Sequence, residues 1–195
     1  KDFGKEMTWA LDQTFGNPYW AFDNQCNNDI KDRYQTFLSV KTIFNDKLDL
    51  VIRTGLDQSS TEDKNWTNVG SYTTNNGRGG YSHSISKGFE WNSEALLSYN
   101  NSVGNMSYGI IGGGNYRVEK GSHISQWGSG YRIPGFYHVS NLSEYYTGES
   151  RWHKEVASLY ALGNLSFDDE VYLDLTYKSD WYSTLPLEKD RKSVV

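Results

Sequence analysis

The sequence predicts an all-β protein: six antiparallel strands taken from a larger transmembrane β-barrel. Three observations carry this reading. Apolar and polar residues alternate with period two in six segments. These segments are joined in pairs by turns of a few residues, while two long connections separate the pairs. The long connections all fall at one end of the strands and the short ones at the other. That is the asymmetry of an outer-membrane barrel, with short periplasmic turns and long extracellular loops.

The segments can be taken in order. Tyr34, Thr36, Leu38 and Val40 alternate with Gln35, Phe37, Ser39 and Lys41, Phe37 being out of phase. Leu48, Leu50, Ile52, Thr54 and Leu56 share one face, with Asp49, Val51, Arg53, Gly55 and Asp57 on the other. Phe89, Trp91, Ser93, Ala95, Leu97 and Tyr99 oppose Glu90, Asn92, Glu94, Leu96 and Ser98. Met106, Tyr108, Ile110, Gly112, Gly114, Tyr116 and Val118 form a weaker fourth pattern, and Val156 to Leu165 is ambiguous in phase. Val171, Leu173, Leu175 and Tyr177 close the series against Tyr172, Asp174, Thr176 and Lys178. Short turns are expected at Asn45–Lys47, Ser102–Asn105 and Phe167–Glu170, long loops over Ser59–Ser86 and Glu119–Ser150, and no helix. Expected strand lengths are about 10 to 14 residues. On periodicity alone, a soluble β-sandwich with its apolar face turned inward fits equally well; the asymmetry of the connections favours the barrel.

Composition narrows the function. The chain has 195 residues, one domain or a piece of something larger. It is 36 % hydrophobic but 15 % aromatic, with 7 Trp and 15 Tyr, which fits neither a dense core nor disorder. A net charge of −5 argues against a nucleic-acid partner held by a basic face. The one cysteine, Cys26, rules out an internal disulfide and a cysteine-cluster zinc site. His83, His123, His138 and His153 lack metal-ligand spacing, so no metal and no cofactor are expected. Glu90 and Glu94 share a strand face but read as acids lining a wet lumen rather than as a glycosidase pair. Gly112-Gly113-Gly114 has no lysine at phosphate-loop spacing and reads as a bend or a close approach of a neighbour.

Six strands do not close such a barrel and leave two unpaired edges, so the chain reads as a slice of a larger wall. It opens at Lys1 without an initiator Met or a signal segment, which supports the same expectation. Asp190-Arg191-Lys192-Ser193-Val194-Val195 matches no expected turn or strand and reads like one frame of a sequencing adapter. The barrel piece is therefore taken as residues 1–189.

Several strings resemble, in register, the SusC/RagA family of TonB-dependent outer-membrane transporters. Asn17-Pro18-Tyr19-Trp20, followed by Asn27-Asn28-Asp29 and Arg33, resembles the opening of a barrel strand in that family. Leu48-Asp49-Leu50 to Arg53-Thr54-Gly55 is similar to its next strand. Ile133-Pro134-Gly135-Phe136-Tyr137 with Ser140-Asn141 resembles its "PGFY-x-x-SN" loop. Glu149-Ser150-Arg151, Ser158-Leu159-Tyr160, Tyr172 to Thr176 and Ser179 to Pro186 follow in the family's order.

The resemblance implies a multi-pass protein of the bacterial outer membrane, not an enzyme, importing oligosaccharides or peptides. It further implies a SusD-like surface lipoprotein as cap and TonB as the source of force, acting through a part of the protein that this chain lacks. Aromatic faces stack on sugar rings, which makes Trp66, Tyr72, Trp127 and Tyr131 the candidate substrate contacts. Phe136 and Tyr137, a large apolar pair beside a proline, are the candidate contacts to the lipoprotein. No catalytic residue is expected. For each of these aromatics the plainer alternative is that the loops pack on one another or against the lipoprotein cap. A secreted carbohydrate-binding β-sandwich is the competing function.

Overall fold

The computed structural model describes residues 4–7, 16–72, 75–168 and 170–184, together with the backbone of 192–194. Its strands are β1 (Gln25–Asn45), β2 (Leu48–Thr67), β3 (Gly80–Val103), β4 (Met106–Tyr131), β5 (Leu142–Phe167) and β6 (Val171–Tyr182). They lie in chain order in a single sheet. No second layer of sheet faces it among the described residues, as a sandwich requires. Lys192–Val194, where the sequence predicts no strand, form a short β7 paired antiparallel with β6.

Two expectations change. The strands run to 20, 24 and 26 residues in β2, β3 and β4, about twice the expected length. The supposed long loops are therefore mostly strand, and the connections shrink to residues 68–79 and 132–141. The asymmetry survives: the opposite end is closed by Asp46-Lys47, by Gly104-Asn105 and by the short step between Phe167 and Val171, which pair with each other. The physical reason is that the outer strand halves carry polar residues on both faces, so they show no period-two signal although their backbones pair. The second change is a helix, α1 (Pro18–Asn24), where none was expected. Its signal is local. Asn17 caps it by accepting from the Tyr19 N–H at 3.0 Å, and Pro18 occupies the first turn, where no donor is needed. The Asn-Pro-Tyr-Trp string thus forms a helix that precedes the strand.

The chain divides into two compact units. Unit 1 comprises Lys1–Asp32, Ser59–Lys87 and Gly121–Arg151; unit 2 comprises Arg33–Gln58, Gly88–Lys120 and Trp152–Val195.

Within unit 2 the alternation read from sequence is realised across strands. On one face Trp91 Nε1 donates to Thr54 Oγ1 at 3.0 Å, the Trp91 and Tyr116 rings meet edge to face at 5.9 Å, and Leu165 pairs with Leu173. Ile52, Leu97, Ile110, Leu159 and Leu175 on this face are left substantially exposed. The other face is polar. Arg33 Nε donates to Asp57 at 3.0 Å and Gln35 Nε2 to the same carboxylate at 2.8 Å. Arg53 pairs with Glu94 at 3.3 Å, and Glu94 also accepts from the Tyr160 hydroxyl.

Tyr160 is on β5 and Glu94 on β3, so the tyrosine must cross β4. It crosses over Gly113, where a Cβ would come within 2.9 Å of its ring and 2.8 Å of the Ala95 carbonyl. The triple glycine is thus a close approach, one of the two readings the sequence offered. At the first turn a polar side chain closes the backbone. Asn45 Oδ1 accepts from the N–H groups of Lys47 and Leu48 at 2.9 and 3.0 Å.

Candidate functional site

All six candidate aromatics fall in unit 1, and the structure sorts them into four places. Trp66, the penultimate residue of β2, stacks on Tyr137 with centroids 4.1 Å apart and planes 4° from parallel. Tyr131, the last residue of β4, meets Tyr137 edge-on at 5.7 Å. Its hydroxyl donates to the Gly80 carbonyl, and its ring fills the space a side chain at Gly79 would need, 2.8 Å from that Cβ position. Glycine is required there in any case, since φ is +71°. Two residues assigned to substrate and one assigned to a partner therefore form one cluster, each ring taking up a face or edge of the next.

The cluster is anchored by Asn68, a residue that sequence reasoning passed over. Asn68 is 4 % exposed. Its side chain accepts from the Tyr137 hydroxyl and donates to Asn24 Oδ1 at 2.9 Å, while its backbone N–H donates to the Asn24 carbonyl at 2.8 Å. Trp20 Nε1 donates to the fully buried Ser71 at 2.8 Å. Helix α1, connection 68–79 and connection 132–141 are thereby tied together. Burial raises the Tyr131 phenol well above its ordinary range, helped by the neighbouring Tyr137 and Tyr81 hydroxyls. Burial also raises Tyr137, against the lowering effect of its bond to Asn68. Both are neutral donors at any physiological pH.

Phe136 stands apart from its neighbour Tyr137. It is 52 % exposed, stacks on His138 at 6.0 Å, and shares the loop tip with the more exposed Ile133. Asn141, buried like Asn68, shapes that loop: its Nδ2 donates to the carbonyls of Ile133 and Phe136 at 2.7 and 2.6 Å, and its Oδ1 accepts from the Ile133 N–H at 3.0 Å. The asparagine of the Ser140-Asn141 string is a loop clamp.

Tyr72 lies in a third place. Its N–H donates to Glu6 Oε2 at 2.7 Å, and with Gly4, Lys5, Glu6, Val69 and Gly70 it lines a cavity of about 580 Å³.

Trp127 occupies the fourth place, and on β4 rather than in a loop. Its ring lies beside that of Tyr146 on β5, centroids 6.0 Å apart and 29° from parallel. Tyr146 was not predicted, because Tyr145-Tyr146 is a doublet whose facing cannot be read from alternation.

Among the described residues no group of His, Cys, Asp and Glu could hold a metal ion. No helix is long and apolar enough to cross a membrane, which says nothing about strands.

What the fold defines is a strip of β-barrel wall. No family model matches the chain, and no curated protein matches it. Among solved structures it is similar to the RagAB peptide transporter, with a TM-score of 0.80 at 14 % identity over 92 % of this chain. It is similar in the same measure to the RagAB peptide importer in its open-open state, and with a TM-score of 0.79 to the closed-closed state. These are proteins of the kind the sequence strings resemble. At that identity the likeness establishes the fold alone, and the chain spans 20 % of the length of the chains it matches.

Proposed function

We propose that residues 1–189 are part of the barrel wall of an outer-membrane TonB-dependent transporter, not an enzyme, that imports oligosaccharides or peptides with a SusD-like lipoprotein as its cap. The observation that carries the proposal is the two-faced sheet of unit 2. One face exposes Ile52, Leu97, Ile110, Leu159 and Leu175 with no layer over them among the described residues, and the other carries Arg33–Asp57 and Arg53–Glu94–Tyr160. Lipid on one side and a wet lumen on the other satisfy both. The membrane-spanning portion is this striped part of unit 2. A tilted membrane strand needs only about 9–11 residues, so the strand halves in unit 1 lie outside the hydrocarbon.

The likeness to the RagAB importer supports the reading, and so do the family strings. Energy from TonB enters through parts of the protein outside this chain, and the substrate passes along the polar face. Phe136 and Ile133, exposed on a loop that Asn141 holds rigid, suit contact with a protein cap, and Tyr137 positions them from within the cluster. Tyr72 and Trp127 stay available to substrate.

Fractionation of cells expressing the full-length protein tests the proposal. It should sediment with outer membranes and remain folded only in detergent; recovery as a soluble monomer would refute it and favour a secreted binding module.

A further inference from the structure

We propose that residues 4–7 form a strap, latched by the Glu6 carboxylate, whose seating fixes connections 68–79 and 132–141 together. All of these residues belong to unit 1. Glu6 joins two elements distant in sequence. Its Oε1 accepts from the N–H of Asn17, the cap of α1, at 2.6 Å, and its Oε2 accepts from the Tyr72 N–H at 2.7 Å. Its own N–H donates to the Gly70 carbonyl at 2.9 Å. An ionised carboxylate accepts on both oxygens, so one side chain serves two donors that approach from different elements.

The crossing is shaped for backbone against backbone. Gly70 has φ +95°, and a Cβ there would run into the Gly4 carbonyl, so glycine is required for both the conformation and the approach. Gly70 is held in turn by its N–H, which donates to the Gly77 carbonyl at 2.8 Å.

What the strap braces is the pair of elements on which Asn68 depends. Asn68 sits between Asn24, at the end of α1, and the Tyr137 hydroxyl. Helix and connection are clasped at Asn24–Asn68 and again at Trp20–Ser71, both through buried residues of the connection. Glu6 adds a third clasp, from Asn17 to Tyr72, made by a separate stretch of chain.

This third clasp is built to come undone. Gly4 and Lys5 are exposed and Met7 is 79 % exposed, so apolar burial does not pin these residues. The cavity bounded by Gly4, Lys5 and Glu6 on one side and by Val69, Gly70 and Tyr72 on the other means that strap and connection meet through hydrogen bonds rather than across a packed surface. Segments held in this way open locally while the rest of the fold stays closed. With the strap lifted, the Tyr72 and Asn17 N–H groups lose their acceptor, connection 68–79 loosens, and 132–141 follows through Asn68 and Tyr137. Resting on the cap reading, the strap thereby governs how Phe136 and Ile133 are presented to the lipoprotein.

Hydrogen–deuterium exchange on the full-length protein, purified in detergent and read by mass spectrometry, tests the latch. Glu6→Ala should raise exchange about tenfold or more in peptides covering both 68–79 and 132–141, as loss of two charge-assisted hydrogen bonds implies. Peptides from 106–118, in unit 2, should be unchanged. Glu6→Gln keeps one of the two acceptors and should fall between the alanine variant and the parent; it carries the test alone if Glu6→Ala does not accumulate. Met7→Ala should match the parent. A rise confined to 68–79 would overturn the coupling between the connections, and a parental pattern in Glu6→Ala or Glu6→Gln would overturn the latch. The same measurement runs in plain buffer on a protein that proves soluble, so exchange decides the strap while outer-membrane fractionation decides the importer reading.

Discussion

The two units are built on opposite principles. Unit 2 buries little and arranges its side chains by face, apolar on one side and ion-paired on the other. Unit 1 closes on itself through a few buried polar anchors, Asn68, Ser71 and Asn141, and a stacked aromatic cluster. Solvent on each face explains the first. The second answers a different problem: connections that carry function must be held in shape without a hydrophobic core beneath them, and buried asparagines do this by satisfying several backbone groups at once.

The largest expected effect probes unit 2. If the apolar face meets lipid, as proposed, Leu50→Arg places a charge there and should cost about 2–4 kcal/mol, cutting outer-membrane levels sharply. Asp49→Asn, on the opposite face, loses only an exposed pairing with Lys41 at 3.5 Å and should assemble normally. Equal levels of the two on immunoblots of outer membranes would reverse the assignment of faces. Next comes Gly113→Ala, whose Cβ would press on the Ala95 carbonyl and on the Tyr160 ring. It should destabilise by about 1–3 kcal/mol in denaturant melts in detergent. The adjacent Gly112→Ala meets nothing within 4 Å and should be neutral.

In unit 1, Asn68→Ala removes the partner of the Tyr137 hydroxyl and should cost about 1–3 kcal/mol. The loss should be local, so limited proteolysis should cut within 132–141 while the strands of unit 2 stay protected. The smallest effect is electrostatic. Glu62, in unit 1, is held below the usual carboxylate range by hydrogen bonds from Lys64 at 2.6 Å and His83 at 2.8 Å. A lowered folded pKa stabilises above the unfolded value, near 4.3, and the gain is lost as pH falls through the folded one. Glu62→Gln should therefore melt slightly earlier than the parent at pH 7, and the difference should shrink as pH falls below the unfolded value.

How far the sequence reached follows the same division. Leu48 to Asp57 and Val171 to Lys178 declared their faces because an apolar side and a polar side alternate there with a strict period of two. The strand halves Thr61–Thr67 and Lys120–Gly128 carry polar residues on both faces and no such period, so they read as loop. The triple glycine was legible as a close approach, but not that Tyr160 makes it, since β4 and β5 must first be paired. Helix α1 had its signal in Asn17-Pro18 and was overridden by the strand reading. Within the candidate site, individual aromatics were named from residue type, supposed loop position and the family resemblance. Their grouping was not, because Trp66 and Tyr137, or Asn68 and Asn24, meet only after the connections fold. Tyr146 and Asn68 had no signal beyond residue type.

Chemical labelling in intact cells tests the central claim, that these strands cross an outer membrane with their long connections outside. In the full-length protein with every cysteine, Cys26 included, replaced by serine, Phe136→Cys and Val103→Cys place single thiols in connection 132–141 and beside the Gly104-Asn105 turn, both at exposed positions. A membrane-impermeant maleimide should label the Phe136→Cys protein in intact cells and the Val103→Cys protein only after the outer membrane is permeabilised. Labelling of both in intact cells, or labelling of Val103→Cys alone, would contradict the account.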